Sequence, residues 1–252
     1  MPVALFKTFL LFGLGLVSSL SAQLIPSVTA IPTRCAPPPA VDLKRLGMAQ
    51  IISVNFVGGG ANNGIPQPMG AAETAGVVPA SHWNNAPEAT GSLTSLRDGS
   101  GKKTTASIHW QAANTWSTPL VDKPGNSRLM KGYLDTSQED GIQVAVEGLP
   151  TTFRRHGYRV YAYFDGDEPS ATRKALYRVE GQQQIGQDPA YSLFDGRFAH
   201  AWDKDGASRE NFVVFRGLTR GAFTLTASPF DTTGTNLRAP LNALQIVAES
   251  KP

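Results

Sequence analysis

One cysteine, Cys35, stands in 252 residues. A single thiol excludes any intrachain disulfide, so a packed core has to hold the fold, and a chain of this length buries enough surface to build one. Long helical patterns are missing too: no segment keeps apolar residues at 3.6-residue spacing beyond about two turns. Charge is sparse. Asp, Glu, Lys and Arg make up 17% of the chain, the formal net charge is +3, and the basic residues are scattered with no run of three. That leaves no stripe to track a phosphate backbone, so nucleic acid is not an expected partner. The four histidines, His82, His109, His156 and His200, include no two at zinc-ligand spacing. There is no Gly-x-Ser-x-Gly elbow, and Gly58-Gly59-Gly60 lacks the helix and basic residue that a phosphate cradle requires. Catalysis therefore has no motif behind it.

Turn formers are abundant, with 25 glycines and 18 prolines, as short strands joined by many turns require. Residues 1–7 carry one charge, Lys7; residues 8–20 are uncharged and apolar; Ser21 and Ala22 follow. That order is expected of a cleaved secretory signal peptide over residues 1–22, the alternative being an uncleaved anchor. The run is shorter than the roughly 20 residues a spanning helix needs. With no later apolar segment, no membrane span is expected after cleavage. Residues 23–48 are expected to be a linker, because Pro26, Pro32, Pro37, Pro38 and Pro39 disfavour both helix and sheet pairing. Cys35 lies there as a spectator thiol.

From residue 49 to residue 252 one domain is expected. Period-two alternation marks strands near residues 51–56, 105–111, 142–147, 157–164, 175–179, 212–216, 222–227 and 241–247. In the first, Ile52, Val54 and Phe56 share a face; in the fourth, Tyr158, Val160, Ala162 and Phe164 point inward and Arg159, Tyr161 and Tyr163 outward. The stretch from 58 to 96 is polar and rich in Gly, Asn and Pro, and is expected to be a long irregular loop, of the sort that lines ligands. The pattern predicts an all-β fold, a jelly-roll β-sandwich of two antiparallel sheets.

The closing segment GAFTLTASP (221–229) followed by RAPLNALQIV (238–247) resembles the ending of galactose-binding-like and malectin-like jelly rolls. The opening ISVNF (52–56) is similar to their first strand. The phrases AGVVPASHWNN (75–85), LMKGYLD (129–135), VYAYFDGD (160–167) and NFVVFRGL (211–218) resemble uncharacterised secreted bacterial proteins. The resemblance spans residues 49–248. It implies an exported sandwich of a kind that usually binds sugars; no binding residue transfers with it.

Candidate ligand-binding residues are aromatic, because an aromatic face covers the C–H face of a pyranose. Trp110 alternates with Ile108 and is assigned to the core. Trp116, in the polar stretch NTWSTP (114–119), and Trp83, in SHWNN (81–85), are the platform candidates; Trp202 is assigned as an anchor. The outward row Arg159, Tyr161, Tyr163 is either a stacking face or a second core layer. Asp165 and Asp167, with Glu168, and the Asp203–Asp205 turn offer oxygens for calcium, although neither cluster supplies the six to eight that calcium takes. An Asp-Gly turn is the commoner explanation of both. The expected function is that of a secreted, non-catalytic module, extracellular or periplasmic, that binds carbohydrate or an envelope component without a required cofactor. The alternatives are a structural or adhesive exoprotein and, behind it, a polysaccharide hydrolase or lyase.

Overall fold

The computed structural model describes residues 47–60, 62–136, 141–167, 172–188, 193–201, 210–230 and 237–250. The expected signal peptide, nearly all of the linker with Cys35, Glu168, Trp202 and the Asp203–Asp205 turn lie outside the described residues.

Two sheets pack face to face. The first holds five strands: β1 (Ile51–Phe56), β2 (Asn84–Ala86), β8 (Tyr158–Tyr163), β11 (Phe212–Leu218) and β13 (Ala243–Ala248), in the order β11-β8-β13-β1-β2. The second holds six: β3 (Thr90–Leu93), β4 (Ser107–Gln111), β7 (Ile142–Glu147), β9 (Arg173–Val179), β10 (Gln182–Asp188) and β12 (Phe223–Pro229), in the order β10-β9-β12-β7-β4-β3. A separate two-stranded ribbon joins β5 (Asn114–Ser117) to β6 (Gly132–Asp135). All pairs are antiparallel except β1 with β2, which is parallel. From β7 onward the chain crosses repeatedly between sheets, as a jelly-roll sandwich requires. The helical pieces, α1 (Asn126–Leu129) and α2 (Thr151–Arg154), are single turns. Among the described residues no helix is long and apolar enough to cross a membrane.

Alternation builds the core between the sheets. Ile52, Val54, Phe56, Val160, Ala162 and Ile246 from one sheet meet Trp110, Val144, Tyr177 and Leu225 from the other. Trp110 packs edge-on against Phe56 with ring centroids 6.3 Å apart, and its indole N–H donates to the Glu88 carbonyl at 2.7 Å. Gly91 opposite makes the ring's position affordable in space: a Cβ there would lie 2.5 Å from the indole. The assignment of Trp110 to the core from its strand period holds.

The chief difference from the sequence expectation is on the other side of the five-stranded sheet. Central strands β1 and β13 are buried on both faces, and a second apolar cluster covers that outer face. It combines Ile51, Tyr161, Tyr163, Val214 and Val247 with Met69, Val78, Ala80 and Trp83 from the preceding loop, and with Leu129, Met130 and Phe194. The stretch 58–96 thus includes a cover over the sheet, and it contains β2 and β3 where only irregular loop was expected. Strand β8 needs such a cover, since its outer phase carries Tyr161 and Tyr163, whose rings would otherwise face water.

Candidate functional site

The ribbon β5–β6 places an aromatic pair at the end of the sandwich. Trp116 is directly opposite Tyr133, and Asn114 opposite Asp135, so each pair lies on a common face. The ribbon is locked by close backbone approach. A Cβ on Gly132 would sit 1.7 Å from the Val57 carbonyl oxygen, and one on Gly60 would sit 2.8 Å from the Trp116 ring. Leu134 is fully buried and bonds through its backbone to Leu241, at 2.9 and 3.1 Å. Lys131, just before β6, points its ammonium at the carbonyls of Asn63, Thr118 and Leu120 at 3.0, 3.1 and 2.8 Å. It ties two neighbouring loops to the ribbon, and burial lowers its pKa.

Chain segment 164–167, leaving β8, supplies the acidic side of the site. The Trp116 indole N–H donates to one oxygen of Asp167, and the Tyr133 hydroxyl donates to the other at 3.0 Å. Arg173, at the start of β9 and almost buried, approaches the same carboxylate at 3.7 Å. Beside it, Asp135 pairs with Arg238 at 3.4 Å. Burial raises the Asp135 pKa, against the pull of Arg238 and Arg173. Burial, and then the charges of Asp135 and Asp167, drive the Tyr133 phenol far above its ordinary value, so the hydroxyl keeps its proton and donates it in a hydrogen bond to Asp167.

One residue ties ribbon and segment together. Asn242, fully buried just before β13, donates its side-chain amide to the carbonyls of Met130, Gly132 and Asp165 at 3.1, 3.0 and 3.2 Å. Its amide oxygen accepts the Asp165 N–H at 2.7 Å.

The expected site residues divide between two places. Trp116 and Asp167 touch each other, with Trp116 half-buried. Asp165 lies behind them, buried, accepting the Phe194 N–H at 3.1 Å. Burial and the nearby Asp188 raise its pKa well above the carboxylate range. Trp83, Tyr161 and Tyr163 are instead buried in the second apolar cluster. The reading of Arg159, Tyr161 and Tyr163 as an exposed stacking row is therefore corrected: β8 runs between β11 and β13, and its outer face forms the second core layer. Tyr161 and Tyr163 pack on Phe212, with centroids 6.1 and 6.2 Å away. Arg159 pairs with Glu249 at 2.9 Å. Trp83 spends its indole N–H on the Ala80 carbonyl at 2.9 Å.

Among the described residues no group of three or more His, Cys, Asp or Glu is placed to hold a metal ion. Asp165 and Asp167, the residues of the calcium expectation, both accept protein hydrogen bonds. Tyr133, Arg173, Arg238 and Asn242 were not anticipated as site residues, because the cross-strand register that sets Tyr133 opposite Trp116 has no local sequence signal. What the cluster offers is one held indole ring beside a rim with both acceptors and donors. The Asp167 and Arg238 side chains are 25% and 30% exposed, within reach of a bound molecule.

No protein-family model matches the chain, and no curated protein sequence does. Two solved structures are similar at low level. One is the plant receptor-like kinase ANX1, at 11% identity and a TM-score of 0.36 over 80% of this chain and 55% of that one. The other is an exo-β-1,3-galactanase from Phanerochaete chrysosporium, solved with galactose, at 13% identity and a TM-score of 0.21 over 56% of this chain and 41% of that one. The chain spans little more than half the length of the first and less than half of the second.

Proposed function

We propose that the protein is a secreted, non-catalytic carbohydrate-binding module of the galactose-binding-like or malectin-like jelly-roll kind, working outside the cell or in the periplasm. The observation that carries this reading is the half-exposed Trp116, held by Asp167 and flanked by Asp135 and Arg238. An aromatic ring supplies apolar contact to a sugar's C–H face, while carboxylate and guanidinium groups satisfy its hydroxyls. Pre-fixing the indole lowers the entropy cost of binding. The signal-like residues 1–22 support the location.

A broad glycan array tests it. Purified protein lacking residues 1–22 is expected to be retained on at least one glycan, with retention lost in Trp116→Ala and unchanged by dialysis against EDTA. No retention across the array, together with self-assembly into multimers, would instead support the structural or adhesive reading. Release of soluble sugar from a polymer panel would make it a hydrolase or lyase.

A further inference from the structure

The outer face of the six-stranded sheet is built unlike the covered face of its partner. Strand registers place six outward side chains in a single row: Thr90 opposite Gln111, Gln111 opposite Gln143, Gln143 opposite Thr226, Thr226 opposite Arg178, and Arg178 opposite Gln183. With strands about 4.8 Å apart, the row runs roughly 24 Å from edge to edge. Thr90, Gln111, Gln143 and Arg178 are exposed, Thr226 and Gln183 half-exposed. Their inward neighbours Trp110, Val144, Leu225 and Tyr177 fill the core. Among the described residues none of the six side chains makes a hydrogen bond or ion pair.

We infer that this face is a second glycan site, distinct from the Trp116 end, and that it takes an extended polysaccharide bearing carboxylates. Three amides, two hydroxyls and a guanidinium form an unspent hydrogen-bonding row too polar to bury an apolar protein partner. Charge selects the ligand. Arg178 and Lys174 project from the same face of β9, about 13 Å apart, and neither pairs with an acid among the described residues. Glu180, two residues beyond Arg178, meets Arg220 instead at 3.9 Å, and with Glu147 the two line a cleft at that end of the strand. A uronate polymer would set carboxylates on the two cations and hydroxyls on the amide row. This inference shares with the proposed function only the ligand class.

Affinity electrophoresis through gels containing alginate tests it, with the propylene glycol ester of alginate as the uncharged form and dextran sulfate as a plain polyanion. Wild type is expected to be retarded by alginate, not by the ester, and less by dextran sulfate. Lys174→Gln with Arg178→Gln should abolish retardation. Gln143→Ala with Thr226→Ala should weaken it at least three-fold at unchanged charge. Absence of retardation by alginate would overturn the inference, whatever neutral glycans do. So would equal retardation by dextran sulfate, indifference to the Gln143 and Thr226 changes, loss of retardation in Trp116→Ala, or a dimer closed over this face in sedimentation. If alginate binds as described and no neutral glycan is ever retained, only the Trp116 reading falls.

Discussion

The indole N–H of Trp116 and the hydroxyl of Tyr133 converge on the two oxygens of one carboxylate, Asp167. Two aromatic side chains from opposite strands are thereby fixed by one acid delivered from a different part of the fold. The ring is oriented before any ligand arrives.

The first prediction follows from that tether. Asp167→Ala removes the acceptor and leaves the ring free to rotate, whereas Trp116→Phe removes the donor and part of the stacking area. Both are expected to weaken glycan retention by roughly three- to ten-fold, the value of about 1 kcal/mol for a hydrogen bond. The melting temperature of Trp116→Phe should stay within a few degrees of wild type, because Trp116 is half-exposed. Asp167→Ala also takes the acceptor from the buried Tyr133 hydroxyl and should cost about 1–3 kcal/mol. Unchanged retention with an altered tryptophan emission would mean that ring orientation is irrelevant to binding.

A second prediction concerns Asn242. Its amide has two N–H groups serving three buried carbonyls, and its oxygen is filled by the Asp165 N–H. Asn242→Asp would face those carbonyls with a carboxylate, so it is expected to fail to fold or to form inclusion bodies. Asn242→Ala strands buried polar groups at about 1–3 kcal/mol each, and its urea midpoint should drop sharply. A near-wild-type midpoint for Asn242→Ala would show that water replaces the amide without loss.

Much of this fold was legible in the chain, and the illegible parts share a cause. Ile52, Val54 and Phe56, or Ile142, Val144 and Val146, announce a strand because one phase is apolar and the other is not. Strands β5 (NTWS), β6 (GYLD) and β10 (QQQIGQD) carry no period-two apolar pattern, and only their partners make them strands. Gln182 and Gln184 in β10, for instance, donate to the β11 carbonyls of Arg216 and Val214. In β8 one phase is apolar and the other carries Tyr161 and Tyr163 beside Arg159, so alternation could not say whether the two tyrosines meet solvent or a cover. Gln245 and Lys131 look like surface residues by type. Each is buried because several distant backbone groups meet it, which no local pattern encodes.

The third prediction tests the cover itself. The Tyr163 hydroxyl accepts the Val77 N–H at 2.9 Å and donates to Gln245, whose amide nitrogen in turn donates to Ser53 Oγ at 3.1 Å and to the Val78 carbonyl at 2.8 Å. Tyr163→Phe keeps the ring and deletes the junction. A loss of about 1–3 kcal/mol is expected, with faster amide hydrogen exchange concentrated at Val77 and Val78. Exchange that rises uniformly over the domain would place the hydroxyl's role elsewhere.

The last prediction concerns acid. Burial first, and the charge of Asp188 second, raise the Asp165 pKa well above its value in an unfolded chain, against the opposing Phe194 N–H. The native state then binds the proton more tightly than the unfolded one. This stabilisation is complete below the unfolded value, about 3.9, and is lost as pH rises through the native one. Asp135, raised by burial, acts in the same direction. Asp122 acts in the opposite one. There burial, which would raise its pKa, is outweighed by the Arg128 hydrogen bond and the Gln67 N–H, so its contribution is present at neutral pH and lost on acidification. Because both wild type and Asp165→Asn retain Asp135 and Asp122, the difference between their melting curves reports Asp165 together with its coupling to Asp188. The asparagine keeps an oxygen for the Phe194 N–H and cannot ionise. Its melting temperature should match wild type near pH 4 and exceed it by several degrees near pH 8, a gap worth 1 kcal/mol for each roughly 2–4 °C. Parallel curves with no widening gap would show that the Asp165 carboxyl ionises in the folded protein as easily as in water.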